Sequence, residues 1–227
     1  MVPGVGLGFH ADLTKATQFT PQVGGGNGRN INYLVDGGDN NDDTVGGLLQ
    51  MFPLKAIEQF NVMTQRFDAG FGRSSGGIVS VVTRSGTNIE RGSWFTLFRD
   101  KALNARTFSQ KLANVAEQPY RRYQFGGSNG GPIVRDRAHY FFAYERTQQD
   151  SRQTVNTLGI APDENGAFDT PVRENLLSAK VTASFRASHY ASLRYGFNNN
   201  SQVSGAAPRV APSAWTKPHN KIGRAHV

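Results

Sequence analysis

Apolar and polar residues alternate almost without error from residue 176 to residue 198. Leu177, Ala179, Val181, Ala183 and Phe185 fall on one side, opposite Leu176, Ser178, Lys180, Thr182, Ser184 and Arg186. After Ala187-Ser188 the period resumes, with Ala191, Leu193, Tyr195 and Phe197 opposed to Ser192, Arg194, Gly196 and Asn198. Period two marks strands, because successive side chains point to opposite faces. The spacing predicts a hairpin with arms of about ten residues, enough for a tilted strand to cross a bilayer. A soluble antiparallel sheet with one wet face would alternate in the same way. The pattern alone leaves both readings open.

Upstream the texture differs. Residues 78–83 form an apolar, β-branched run bounded by Gly76-Gly77 and Ser85-Gly86, as in a strand buried on both faces. Residues 31–35 (INYLV) alternate and stop at the turn dipeptide Asp36-Gly37. Pro53 at a first turn, with Leu54, Ile57 and Phe60 at helical spacing, predicts a short helix over residues 53–60, and a further strand begins at residues 61–64. Residues 92–99, 120–127 and 139–147 read as strands, the last two separated by a GGPIVRDR turn. Tyr140, Phe142 and Tyr144 share one side. The remainder reads as connection: residues 2–29 with one short strand near 17–20, residues 101–118 with a short helix near 103–112, residues 148–174, and the stretch after residue 199.

Composition narrows this only slightly. A hydrophobic share of 37% with 26 glycines in 227 residues is low for a soluble core. It suits a loop-rich β protein, or a barrel whose alternating strands dilute the apolar average. No run approaches the ~18 apolar residues of a membrane helix. The absence of cysteine excludes a disulfide scaffold and a thiolate metal site. A net charge of +8 raises the question of nucleic acid, but the basic residues are dispersed, the longest run being Arg121-Arg122. Dispersal argues against a phosphate track and predicts no nucleic-acid partner.

Candidate chemistry is sparse. Residues 36–43 (DGGDNNDD) carry four carboxylates in eight residues, yet lack the order and terminal glutamate of a calcium loop, so they read as a solvated turn. G-x-S-x-G occurs twice, around Ser74 and Ser128. A nucleophile elbow needs a strand before the serine and a helix after it. Here a strand follows Ser74, and Gly131-Pro132 follows Ser128, so tight turns and close backbone approach are the better account. The five histidines show no ligand spacing. No catalytic residue, cofactor site or metal site is expected.

Four blocks carry a resemblance when read in order: PLKAIEQFNV (residues 53–62), FDAGFGRSSGGIVSVVTRSGTN (67–88), GSWFTLFR (92–99) and RRYQFGGSNGGPIVRDRAHYFFAYE (121–145). Together, over residues 30–145, they resemble the plug-to-barrel passage of TonB-dependent outer-membrane receptors, in the Oar-like subfamily whose plug follows a carboxypeptidase regulatory-like domain. The resemblance implies an α+β plug domain over residues 1–88, followed by antiparallel transmembrane β-barrel strands over residues 89–221, an incomplete barrel. Residues 222–227 (IGRAHV) resemble the translation of a common sequencing adapter and are set aside. With no signal peptide at MVPGVGLGFH, the chain is expected to be a fragment.

The resemblance further implies energy-coupled uptake of a nutrient across the bacterial cell outer membrane. The partners would be the TonB-ExbB-ExbD complex, outer-membrane lipid, and a small-molecule, peptide or saccharide ligand. Gly70, Gly72, Arg73, Gly76, Gly77, Thr83 and Gly86 would form the plug-to-barrel structural motif. Asp36, Asp39, Asp42 and Asp43 would form a ligand-facing plug loop. Tight turns at one end and long loops at the other fit such a barrel, with the long loops extracellular. The rival readings are a porin or adhesin barrel without energy coupling, and a soluble α/β hydrolase-like enzyme using Ser74 or Ser128.

About five strands cannot close a barrel, and unpaired backbone in lipid costs several kcal/mol per group. Residues 1–227 expressed alone are therefore expected to aggregate or stay partly unfolded. A monodisperse product with a cooperative melt in sedimentation and calorimetry would contradict this.

Overall fold

The computed structural model describes residues 5–7, 21–23, 28–44, 46–65, 67–103, 105, 108, 112, 119–186 and 189–226. The strand expected near residues 17–20, and most of the helix expected near 103–112, lie outside them. Two larger sheets organise the described chain. The first is a mixed four-stranded sheet built from β3 (Ile31–Val35), β4 (Gly38–Asp39), β5 (Ile57–Met63) and β6 (Gly77–Thr83), in the order β4-β3-β6-β5. β3 and β6 run parallel, with Tyr33 opposite Val79 and Val35 opposite Val81. A small antiparallel pair, β1 (Val5–Leu7) and β2 (Pro21–Val23), accompanies it.

Parallel strands have to be covered on both faces. Here Val23, Ile31, Tyr33, Val35, Val79 and Val81 form the core on one side, with Phe52, Ile57 and Val62 packed against it. Ile78, on the other side of β6, is fully buried. The reading of residues 78–83 as a strand covered on both faces agrees with this, Val82 being its exposed member. Burial also raises the pKa of the Tyr33 phenol well above its ordinary value, so the ring stays neutral in the core.

The helix expected over residues 53–60 is not formed. Leu54–Ala56 makes one 3-10 turn, closed by the Ala56 N–H on the Pro53 carbonyl (2.9 Å), and Ile57 already belongs to β5, paired with Thr83. Pairing with β6 supplies hydrogen bonds to the backbone of residues 57–63 and overrides an apolar spacing of only three residues.

The second sheet is antiparallel throughout: β7 (Arg91–Asp100), β8 (Tyr120–Val134), β9 (Ala138–Val155), β11 (Val172–Arg186), β12 (His189–Ser201) and β13 (His219–His226). The order is β13-β12-β11-β9-β8-β7, and β10 (Gly166–Asp169) extends the pairing on β9. The strands are longer than their apolar patterns. The expected GGPIVRDR turn contracts to residues 135–137, its glycines being part of β8. Much of the supposed connection 148–174 is strand. Residues 148–154 (QQDSRQT) are polar on both faces, so no alternation announces them before the buried Val155. The stretch set aside at residues 222–227 contributes to β13, Ile222 pairing with Asn198.

The faces of this sheet are inverted relative to a soluble protein. Val181, Leu193 and Phe185 are exposed at 40%, 48% and 72%, whereas Ser178, Lys180 and Asn198 on the opposite face are at 1%, 7% and 2%. The inverted rule extends sideways through registered partners. Leu177 lies opposite Tyr144 and Phe197, Ala179 opposite Phe142 and Tyr195, and Val181 opposite Tyr140 and Leu193. This makes a continuous apolar band too large for a wet surface and suited to hydrocarbon. Above it Phe98 stacks on Tyr123, their centroids 4.9 Å apart, as aromatics do at a headgroup boundary.

Leu193→Arg tests the inversion. In the full-length protein folded into lipid vesicles the substitution is expected to destabilise by about 2–4 kcal/mol. On a water-facing sheet an exposed leucine tolerates the change within about 0.5 kcal/mol. Denaturant titration of the vesicle-bound protein reads the difference.

Candidate functional site

The polar face of the large sheet turns toward the small one, and the contact between them is built from side chains distant in sequence. Asp36 sits at the end of β3 with a positive φ of 50°, in the turn predicted by Asp36-Gly37. That conformation, tolerated by aspartate, carries its carboxylate back over β6. There it accepts from the Thr83 N–H at 2.8 Å and from the Thr83 hydroxyl at 2.5 Å. Two cations of the wall close on the same carboxylate: Lys180 Nζ at 3.4 Å from β11, and Arg194 Nε at 3.1 Å from β12.

Both cations reach further. Lys180 Nζ donates to the Thr83 carbonyl (3.1 Å) and Arg194 Nη2 to the Val35 carbonyl (3.2 Å), while the Arg194 guanidinium lies 5.0 Å from the centre of the Phe52 ring. The Lys180 and Arg194 side chains are only 8% and 4% exposed. Charges this deep persist only when paired and hydrogen-bonded, and here the small sheet supplies both the carboxylate and the carbonyls.

A second anchor uses Glu145 of β9. Its Oε2 accepts from the Leu54 N–H (2.9 Å) and its Oε1 from Gln124 Nε2 (2.6 Å). The free N–H at the start of the 3-10 turn is thus satisfied by the wall. Beside it Ala56 packs against Phe141 and Ala143. Two glycines set the approach distance. A Cβ on Gly86 would fall 2.1 Å from the Tyr140 carbonyl oxygen, and one on Gly196 would fall 2.6 Å from Gln50 Oε1. The first collision is with backbone and leaves no way to yield.

The anticipated motif residues divide accordingly. Thr83 and Gly86 lie at the contact itself. Gly77 is buried within the small sheet beneath Val23 and Met63, and Gly76 donates its N–H to the Asn30 carbonyl (3.0 Å). Gly70 and Gly72 are exposed and uncrowded; their loop is tied down by Asn32, which donates to the Gly72 carbonyl (2.9 Å). Arg73 has a φ of 61° and pairs with Asp39 (3.5 Å) and with Asp43.

The four aspartates do not act as one loop. Asp36 is committed to the wall, Asp39 and Asp43 to Arg73, and Asp42 accepts from the Thr44 N–H (2.9 Å). Among the described residues no group of three or more His, Cys, Asp or Glu is arranged to hold a metal ion. Ser74 Oγ bonds the Asn30 and Gly77 carbonyls (3.0 and 2.5 Å), and Ser128 Oγ lies 3.1 Å from Ser93 Oγ. Both serines do structural work in turns and strands. Sequence reasoning put Lys180 and Arg194 on the polar face but gave them no partner. Their signal was the presence of long cations where small polar residues would suffice.

Known proteins resemble this arrangement. A family model described as Outer membrane beta barrel domain matches residues 82–221. The TonB-dependent transporter Oar of Myxococcus xanthus is 29% identical over an alignment of 150 residues that covers 60% of this chain and 14% of that protein. The outer membrane transporter YddB of Escherichia coli superposes with a TM-score of 0.66 at 14% identity, over 91% of this chain and 30% of its own. A mutant of the ferric enterobactin receptor (PfeA) of Pseudomonas aeruginosa gives 0.52 at 14% identity, over 99% and 41%. At such identities the likeness speaks for the fold. The chain spans a small part of each of these relatives. Among the described residues no helix is long and apolar enough to cross a membrane.

Asp36→Ala in the full-length protein leaves Lys180 and Arg194 buried without their carboxylate, and is expected to cost about 3–5 kcal/mol. Asp36→Asn, which keeps contact with Thr83, should cost less. Melting temperature and the rate of proteolysis within residues 31–88 report the loss. An alanine variant as resistant as the parent would mean that the cluster does not hold the two sheets together.

Proposed function

The chain belongs to the outer membrane β-barrel domain family and resides in the bacterial outer membrane, and on that basis we propose that it is part of an Oar-like TonB-dependent receptor. In this reading residues 1–88 are plug, residues 89–221 begin the barrel wall, and the whole protein takes up a nutrient with energy supplied by the TonB-ExbB-ExbD complex. The observation that carries the proposal is the small mixed sheet seated on the polar face of the wall through Asp36, Lys180 and Arg194. A passive pore has no use for a folded unit clamped into its lumen.

The chemistry of the contact suits a part that must move. An apolar contact of this size would be lost to water on displacement, whereas carboxylate, ammonium and guanidinium groups are rehydrated when they separate. A pull transmitted through the N-terminal side would act on β3, which carries Asp36 at its end and Val35 against Arg194. No bond is made or broken in transport, which agrees with relatives that are outer membrane transporters rather than enzymes. Of the aspartates proposed to face a ligand, Asp39, Asp42 and Asp43 remain candidates, since Asp36 is engaged with the wall.

Two measurements on the full-length protein separate this from a porin or adhesin. In planar bilayers it is expected to be electrically silent and to conduct once the segment matching residues 31–88 is deleted. The purified periplasmic domain of TonB is expected to bind it. Steady conductance by the intact protein together with absence of TonB binding would leave the passive barrel.

A further inference from the structure

A groove of about 500 Å³ lies across the outward face of β9 at Asp150 and Arg152. It is flanked by the ends of β7 and β8 on one side and by β10 and the start of β11 on the other, and Asp100, Arg121, Asp169 and Arg173 line it. Its level is fixed by register. Phe98 pairs with Tyr123, and the next outward pair along these strands is Asp100 with Arg121. The groove therefore begins one step above the aromatic boundary of the apolar band.

That end of the wall is the outer one. β8 and β9 are joined at the opposite end by residues 135–137 alone, and β11 and β12 by residues 187–188. β7 ends at Asp100 and β8 begins at Tyr120, and β12 ends at Ser201 and β13 begins at His219, at the end that bears the groove, so the longer connections of the chain start and finish there. Outer-membrane barrels keep their short turns periplasmic and their long loops extracellular.

The arginines are not equivalent. Both terminal nitrogens of Arg173 are engaged, donating to the Gln149 and Val172 carbonyls (2.7 and 2.9 Å) and to Asp150 (2.5 Å). Arg121 and Arg152 engage only through Nε, with Asp100 at 3.2 Å and Asp169 at 2.7 Å, and their side chains remain 58% and 50% exposed. Each is held by one edge of its guanidinium. Their terminal Nη1 and Nη2 groups have no partner among the described residues. A planar fork oriented in this way takes a phosphate oxygen pair.

We propose that this groove docks the phosphorylated headgroup of an outer-leaflet glycolipid, with Arg121 and Arg152 taking the phosphate and the acyl chains running down over Phe98, Tyr123 and Phe125. Continuity with the apolar band commits the site to a lipid, since a soluble anion would gain nothing from those rings. Lys101 beside the groove leaves its lining with four cations against three carboxylates. The proposal rests on the membrane placement alone and is independent of energy coupling.

The test uses the full-length protein in detergent, with bis-phosphorylated lipid A as probe and the same lipid stripped of both phosphates as comparator, read by native mass spectrometry. The parent protein is expected to prefer the phosphorylated form by roughly tenfold or more. R121Q/R152Q, with its fold checked by melting, should lose that preference, and R121K/R152K should keep part of it because charge remains while the fork is lost. Equal retention by parent and R121Q/R152Q would overturn the proposal, as would a parent without preference. Displacement of the lipid by millimolar inorganic phosphate would reduce the groove to a simple anion site.

Discussion

Everything in this chain follows from the requirement that one face of the large sheet meet hydrocarbon. In lipid no water satisfies backbone polar groups, so the wall must be sheet paired along its length, and its outward side chains must be apolar. Alternation then sends every second residue, including Ser178, Lys180, Thr182, Arg194 and Asn198, to the inner face. Whatever occupies the inside meets polar atoms. The small sheet answers with Asp36 for the cations, the Thr83 and Val35 carbonyls for one further donor of each, and the Leu54 N–H for Glu145.

This explains why the two sheets are so unlike. The small one cannot draw apolar cover from its neighbour, since the wall offers little. It carries its own core around Tyr33, Val35, Val79 and Val81, and among the described residues it meets the wall through Ala56 against Phe141 and Ala143 and through Phe52 under the Arg194 guanidinium. Specificity of docking therefore comes from matched charges and close backbone approach. Gly86 is decisive, because any side chain there would strike the Tyr140 carbonyl before Lys180 and Asp36 could close. At Gly196 a Cβ would instead meet the amide end of the buried Gln50 side chain, which would have to shift.

Legibility in the sequence followed burial contrast. The hairpin β11–β12 was readable because its two faces see hydrocarbon and polar lumen, the largest contrast available. β3 and β6 were readable because a core covers them. Residues 148–154 were not, since above the apolar band β9 carries polar side chains on both faces and its half-buried face shows no apolar period before Val155. Residues 57–60 misled for the opposite reason: Leu54, Ile57 and Phe60 fall at helical spacing by coincidence, and Phe60 is 55% exposed on a strand. The glycines of residues 126–131 looked like turn residues, but they lie within β8. There Gly126 and Gly130 have the Tyr144 carbonyl and the Phe141 ring where a Cβ would sit.

The candidate site was legible only by halves. Asp36 stood out as a turn residue and Thr83 as the end of a strand, but nothing local joins either to Lys180 or Arg194. The wall strands follow one another in space as they do in sequence, with β10 set beside β9, but Asp36 and Thr83 reach them from the other sheet, and that contact between sheets leaves no local mark at either residue. A long cation on the polar face of an alternating strand is the one trace such a contact leaves. Burying lysine or arginine without a partner costs several kcal/mol, so where a strand keeps one on its inner face a carboxylate must be sought on whatever packs there. Applied to β12 this rule points inward from Arg194 to Asp36.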